Sequence, residues 1–494
     1  MLHSVARISI LVAFVAVLAS SVSWKASSRT LAPAKMVTAN GSPAGQLFYV
    51  STAGNDANNG TSVSKPWRTI DKAMHSATPG STVNILAGTY NERLTMGASG
   101  TPGNYITFQP YGFTVPASGC GGYSGNPCGG DQVILDYSYL GTVTDGVPFL
   151  VVNNISYVRI EGLTFQNFTT QEVNFVFNQG VRVDGTSSYI EFKYNKFLNN
   201  KDVGPHDGTS ALGHFRVWGP ASNIRVFGNE FGNIWSNYSE TLTADLGSTN
   251  FTAENNWIHD TDGIGIDARN GANNYTIRGN RLEYNSIKRD GTIWYNSPAA
   301  AIYNDGGNTG IIERNYVSHC GVGFQALSEP GMPATHDVTV RNNVAQYCQM
   351  GVVLGTWYSD TDGSSVSNIN IFNNTFYGNE VGLDIRPMMS ATVTWENNIF
   401  ANNGVSYANV LNRNPGNVNY NLYFGGTLGP GANVLTLDPL FTNAAGGDFS
   451  LQSASPAINA GDPNTLTNSA GTLDFAGNPR IQGGRIDIGA YEAQ

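Results

Sequence analysis

Through the middle of the chain, apolar and polar residues alternate with a period of two in short runs, such as IRVFGNEF at 224–231, YTIRGNRL at 275–282 and VTVRNNVA at 338–345. That period belongs to strands with one buried face, whereas helical repeats would return every 3.6 residues. Each run reaches an asparagine followed by a further apolar residue. The shared positions are Asn195, Asn229, Asn256, Asn280, Asn315, Asn343, Asn374 and Asn398, with successive spacings of 34, 27, 24, 35, 28, 31 and 24. A floor of 24 with variable excess describes one structural unit carrying loop insertions.

A unit of this length cannot bury its apolar face alone, so neighbouring units must stack. The pattern predicts an all-β chain, a right-handed parallel β-helix solenoid of about ten coils. Asparagine suits a recurrent sharp turn because it tolerates left-handed backbone and bonds neighbouring peptide groups. Stacked asparagines are expected to form a ladder. Cys320 and Cys348 each lie five residues after a ladder asparagine, which places them in adjacent coils. They either bond or pack as buried thiols, and thiol packing is the expectation. Cys120 and Cys128 flank a Gly-rich loop and read as a local disulfide.

The ends differ from the middle. WRTIDKAMHSA at 67–77 predicts a short amphipathic helix, followed by the strand TVNIL, which together close the first coil. Beyond 420 the asparagine period fades. Near the start, Arg7 precedes an apolar stretch at 8–19 that ends in small residues, the form of a secretion signal; it is too short for the ~20 residues of a membrane span. The expected organisation is a signal peptide and start of the mature chain at 1–26, and a flexible segment at 27–46. An N-terminal cap with the first coils follows at 47–135, then repeats at 136–420 and a capping module at 421–494. The protein is expected to be secreted, extracellular or at the cell surface, without a transmembrane segment, and monomeric.

Composition narrows the function. Charged residues make up 13% of the 494, the net charge is −10, and no basic stripe appears, so nucleic acid is not an expected partner. The histidines lack paired zinc-ligand spacing, and no Gly-x-Ser-x-Gly elbow is present. In each coil a second strand follows the asparagine turn. Taking its branched residues as inward, the outward positions include Arg182, Arg216, Trp218, Asp245, Asp267, Tyr303, Gln325 and Asp384. The coils are ~4.8 Å apart, which gathers Arg216, Asp245, Asp267 and Tyr303 on one patch.

The largest insertions bring His206, Asp207 and His214, then Lys288, Arg289, Trp294 and Tyr295, then Trp357 and Tyr358. Aromatic rings beside carboxylates suit a polysaccharide, with His214, Trp218, Arg269, Trp294, Tyr295 and Trp357 as candidate substrate contacts. Asp245 and Asp267 on adjacent coils would repel unless a proton, arginines or a cation intervened. Ca²⁺ held by Asp245, Asp267, Asp207 and Asp262, with Asp260 nearby, would answer that need. The same carboxylates could instead serve a glycosidase as acid and base, with Glu240 in reserve. A binding or adhesive protein without catalysis is the remaining class.

FYVSTAGNDANNGT at 48–61, KPWRTIDKA at 65–73 and PGSTVNILAGTY at 79–90 resemble the opening of secreted β-helix proteins, among them family 9 polysaccharide lyases and β-helix glycosidases. DPLF at 438–441, DFSLQSASPAINAG at 448–461 and GNPRIQGGRIDIGAYE at 477–492 resemble the terminal module of bacterial surface β-helix proteins. The lyase resemblance implies calcium-assisted β-elimination of a pectate-like polymer, with a basic residue removing the proton. Lys201 and Lys288 are the lysines in groove loops, and Arg216 is the substitute base. GPHD at 204–207 resembles the Asp-Pro-His motif of alginate C5-epimerases, with Gly204 where that motif has aspartate.

Overall fold

The computed structural model describes residues 45–115, 131–171, 178–205, 211–237, 239–294, 299–329, 331–355, 365–386, 392–409, 416–465 and 467–494. Within them the chain winds as a right-handed parallel β-helix with three long parallel sheets of 13, 12 and 11 strands. The period-two pattern becomes register. Ile190 pairs with Ile224 and Phe192 with Val226 in the first sheet, so like side chains stack from coil to coil. In the second sheet the interior column runs Phe165, Phe197 and Phe231, with rings parallel within 10° at 5.1 and 4.8 Å. Offset-stacked rings of this kind fill a narrow core without voids.

The asparagine ladder is continuous from Asn195 to Asn421. Each amide Nδ2 donates to the next coil's Oδ1, at 2.9 Å from Asn256 to Asn280 and 3.0 Å from Asn280 to Asn315. Each Oδ1 also accepts the preceding rung's backbone N–H, and each Nδ2 donates to a carbonyl, as Asn280 does to Ala253 at 2.9 Å. One detail of the expected turn is corrected. The left-handed backbone falls on the residue before each rung, such as Tyr194, Asn255, Arg314 and Asn342, and not on the rung itself. The rung asparagines are there to satisfy buried peptide groups.

A second ladder stands five or six residues further on. Asn200 accepts from the Phe168 N–H, Asp262 from Ser236, Asn379 from Cys348 and Asn403 from Asn379, at 2.7–2.9 Å. Cys320 and Cys348 take up this position in their coils, and the structure corrects the thiol-packing expectation: they are disulfide-bonded across 28 residues. Both are buried. Closing that loop restricts the unfolded chain by about 3 kcal/mol. The double variant Cys320→Ala/Cys348→Ala is therefore expected to unfold at lower temperature, measured by circular dichroism; an unchanged midpoint would show that the bond adds nothing to the stack. Cys120 and Cys128 lie outside the described residues.

At the start, helix Ile70–Ser76 is capped by the Thr69 side chain and buries Ile70, Ala73 and Met74. Strand Thr82–Ile85 follows, as the sequence predicts. The C-terminal residues run along the flank of the coils. Phe449, Phe475, Ala490 and Tyr491 pack on Tyr316 and Val344. Asn342 donates to the Ala470 carbonyl at 2.7 Å, and Asn373 to that of Asp487 at 2.8 Å. Among the described residues, no helix is long and apolar enough to cross a membrane.

Candidate functional site

The third sheet carries the site, and its strands begin irregularly. Two consecutive residues face the interior, as Gly265 and Ile266 do; a Cβ on Gly265 would meet the Leu282 side chain at 2.6 Å. His214 occupies the equivalent place two strands earlier, with Thr241 between them. It is fully buried among Phe149, Phe197 and Phe231, and burial pulls its pKa down to about 3. His214 is thus a core residue, bonded to Asn200 at 3.0 Å, and cannot touch substrate as expected.

After this step the outward columns are set by register. One column pairs Arg182 with Arg216, Arg216 with Thr243, Thr243 with Asp267, and Asp267 with Tyr303. Asp245 is not in it, contrary to the expected alignment. It pairs with Trp218, two residues along the strands, in the column where Arg269 meets Asp305. Both columns lie on one face, so the patch survives with a different internal geometry.

Its electrostatics centre on Glu240. Arg269 Nη1 donates to Glu240 Oε1 at 2.7 Å, Arg216 Nη2 to Oε2 at 3.2 Å and the Ser239 hydroxyl to Oε2 at 2.7 Å. Burial alone would raise this carboxyl, but the two guanidiniums and the hydroxyl hold it below its usual range. Arg216 also lies 3.5 Å from Asp245, which accepts the Leu246 N–H at 2.7 Å. Arg269 is held protonated by Glu240, Asp267, Asp245 and Asp305 against its burial.

Asp267 differs from all of these. It has 0% exposure, and neither carboxyl oxygen has a hydrogen-bond partner among the described residues. Burial, then the adjacent Glu240 charge, push its pKa well above the carboxylate range. Asp305 is pushed up to about 7 by burial and then by Glu329, whose backbone N–H it accepts at 2.7 Å. Tyr303 donates to Glu329 at 3.0 Å; burial and that charge raise its phenol. Trp218 stands at the edge of the cluster, its indole N–H without a hydrogen-bond partner among the described residues. Asp305 and Glu329 were the members least legible in sequence, and Glu240 was read there only as a carboxylate in reserve.

Asp305 has a measurable consequence. An acid whose folded pKa of about 7 exceeds its unfolded value near 3.8 binds a proton in the fold that the unfolded chain has lost. Its contribution to stability is present at low pH and is lost as pH rises between those values. The thermal midpoint is expected to fall over that interval, and less steeply in Asp305→Asn. Parallel curves for the two proteins would contradict the shift.

The remaining candidates lie elsewhere. Asp262 accepts the backbone N–H groups of Ser236 and Asn237 at 2.7 and 3.1 Å, so it is a ladder residue committed to a turn. Lys288 and Trp294 line a separate hollow of about 330 Å³ with Asn233, Asp260 and Arg289. His206, Asp207, Tyr295, Trp357 and Tyr358 fall outside the described residues. Among the described residues no three acidic, histidine or cysteine side chains converge as a metal-binding group, and Asp207, one of the four expected calcium ligands, lies outside them. Arg216 and Arg269 already supply positive charge where the ion was expected.

A family model described as "Right handed beta helix region" matches residues 285–387, and one described as "Protein of unknown function (DUF1565)" matches 52–96. The chain is 27% identical over 461 residues to "Uncharacterized protein YwoF" of Bacillus subtilis (strain 168), covering 85% of this chain and 93% of that one. Similar solved structures include pectate lyase Pel9A, at 16% identity and a TM-score of 0.47 over 91% of this chain and 96% of that one. Another is the GH136 lacto-N-biosidase from Eubacterium ramulus, at 13% and 0.43 over 79% and 68%.

Proposed function

We propose that this protein hydrolyses a glycosidic bond of an extracellular polysaccharide on the outer face of the third sheet, with Asp267 as the proton donor. The observation that carries this reading is the Asp267 carboxyl, buried on an outward-facing column with no hydrogen-bond partner among the described residues. A carboxyl kept protonated at neutral pH is what a departing sugar oxygen requires. Asp305, at about 7, is the base that takes the proton of the attacking water. Their Cα positions stand one coil and two residues apart, roughly 8 Å from a ~4.8 Å coil step and ~3.3 Å per residue. That leaves room for water between them and favours inversion at the anomeric carbon. Glu240, locked by two arginines, positions the cluster. Trp218 offers a ring at its edge.

Arg216 is a poor base for β-elimination, because its guanidinium is engaged by two carboxylates, Glu240 at 3.2 Å and Asp245 at 3.5 Å. The bonded cysteines, Cys320 and Cys348, support an oxidising, extracellular setting. The test is a panel of acidic and neutral plant and microbial glycans, followed for reducing ends and for ultraviolet absorbance of unsaturated uronates, with and without chelator. New reducing ends without absorbance, unaffected by chelator, support hydrolysis. Absorbance that chelator removes would replace it with calcium-dependent elimination, and neither signal would favour a binding protein.

A further inference from the structure

The corner between the second and third sheets carries a line of rings and unpaired lysines that the third-sheet site does not use. Lys201 Nζ sits 3.9 Å over the Trp235 ring, and Lys288 Nζ 4.5 Å over Trp294. The two indoles approach to 5.2 Å between centroids. Neither lysine makes an ion pair among the described residues, in a chain with only eight lysines and a net charge of −10. Lys201 also lines a hollow of about 480 Å³ with Asn167 and Asn199, while Lys288 and Trp294 line the 330 Å³ hollow beyond. Of the carboxylates near Lys288, Asp260 is occupied by Arg289 at 2.6 Å and His259 at 2.7 Å, and Asp290 accepts from the Thr292 hydroxyl at 2.7 Å.

The line continues coil by coil. Arg289 lies 4.6 Å over Tyr284, which stacks on His319 at 4.9 Å; His319 meets Tyr347 at 5.4 Å. Tyr284, His319 and Tyr347 hold left-handed backbone at the corner, which turns their side chains outward in register. They are partly exposed, unlike the core columns. Coils repeat every ~4.8 Å, close to the length of one pyranose along an extended glycan. Flat rings cover the apolar faces of sugars, and cations already seated on those rings answer carboxylates.

We infer that this corner is a second, non-catalytic binding track for a linear acidic polysaccharide, anchored at Trp235 and Trp294 and selected for charge by Lys201 and Lys288. It is independent of whether the third-sheet site hydrolyses. It would offset the long-range repulsion between a polyanion and an acidic protein, holding the chain while the site works.

Affinity electrophoresis in gels containing polygalacturonate tests it, with the carboxyl-reduced polymer as the neutral arm. The full protein and Asp267→Asn are expected to be retarded equally by the acidic polymer and little by the neutral one. Trp235→Ala and Lys201→Gln are expected to weaken the apparent Kd about tenfold. Lys201→Gln leaves the packing of the corner intact and so reads binding even if the tryptophan variant folds poorly. Unchanged retardation in Lys201→Gln, loss of retardation in Asp267→Asn, equal retention on the neutral polymer, or no retardation of the wild type would each overturn the inference.

Discussion

Asp267→Asn is expected to lower kcat for glycan cleavage by about a hundredfold to ten-thousandfold, with little change in KM. The amide keeps the shape of the side chain and removes the proton it would deliver. Stability should move the other way. A buried carboxyl with a raised pKa costs the fold increasingly as pH climbs above the unfolded value, because the unfolded chain can ionise and the folded one resists. Asn, which does not ionise, carries no such cost. The variant's thermal midpoint should therefore equal that of the wild type in acid and exceed it near neutrality. An inactive and less stable variant would point to a structural role instead. Full activity would remove Asp267 from the chemistry altogether.

The largest effect on stability is expected at the centre of the ladder. Asn280→Ala removes the amide that donates to the Ala253 carbonyl and to Asn315, and the oxygen that accepts the Asn256 backbone N–H. At least two buried peptide groups are left unpaired, which costs about 3 kcal/mol or more. Asn421 is the last rung; it bonds Trp395 and accepts from Asn398 but has no asparagine beyond it. Asn421→Ala should cost clearly less. Because a repeat stack can fray from one end, urea midpoints are the quantity to compare. Equal midpoints for the two variants would show that the ladder is not a cooperative element.

The fold was legible because its two determinants are local. Alternation fixes which face a side chain takes, and the Asn195-to-Asn398 period fixes where coils begin. The second ladder leaves a trace in sequence that was noticed only at Cys320 and Cys348: Asn200, Asn379 and Asn403 also follow a rung by five residues. What sequence could not give was register after the second turn, whose length varies from coil to coil. A shift of two residues preserves the face, so Asp245 and Asp267 look aligned although Asp267 pairs with Thr243. His214 was misplaced for the opposite reason. A doubled inward step at the strand start breaks the alternation that would have put it outside. Asp262 resembled a metal ligand because a carboxylate and an amide oxygen accept the same backbone N–H bonds, and only the coil position separates the two roles.

The most direct measurement is the protonation state of Asp267, read from the carboxyl carbon resonances of selectively ¹³C-labelled aspartate and assigned by their loss in Asp267→Asn. A signal that stays in the protonated range at neutral pH, while Asp305 titrates near 7, is the expected result. A signal already ionised in mild acid would contradict the assignment of Asp267 as the proton donor.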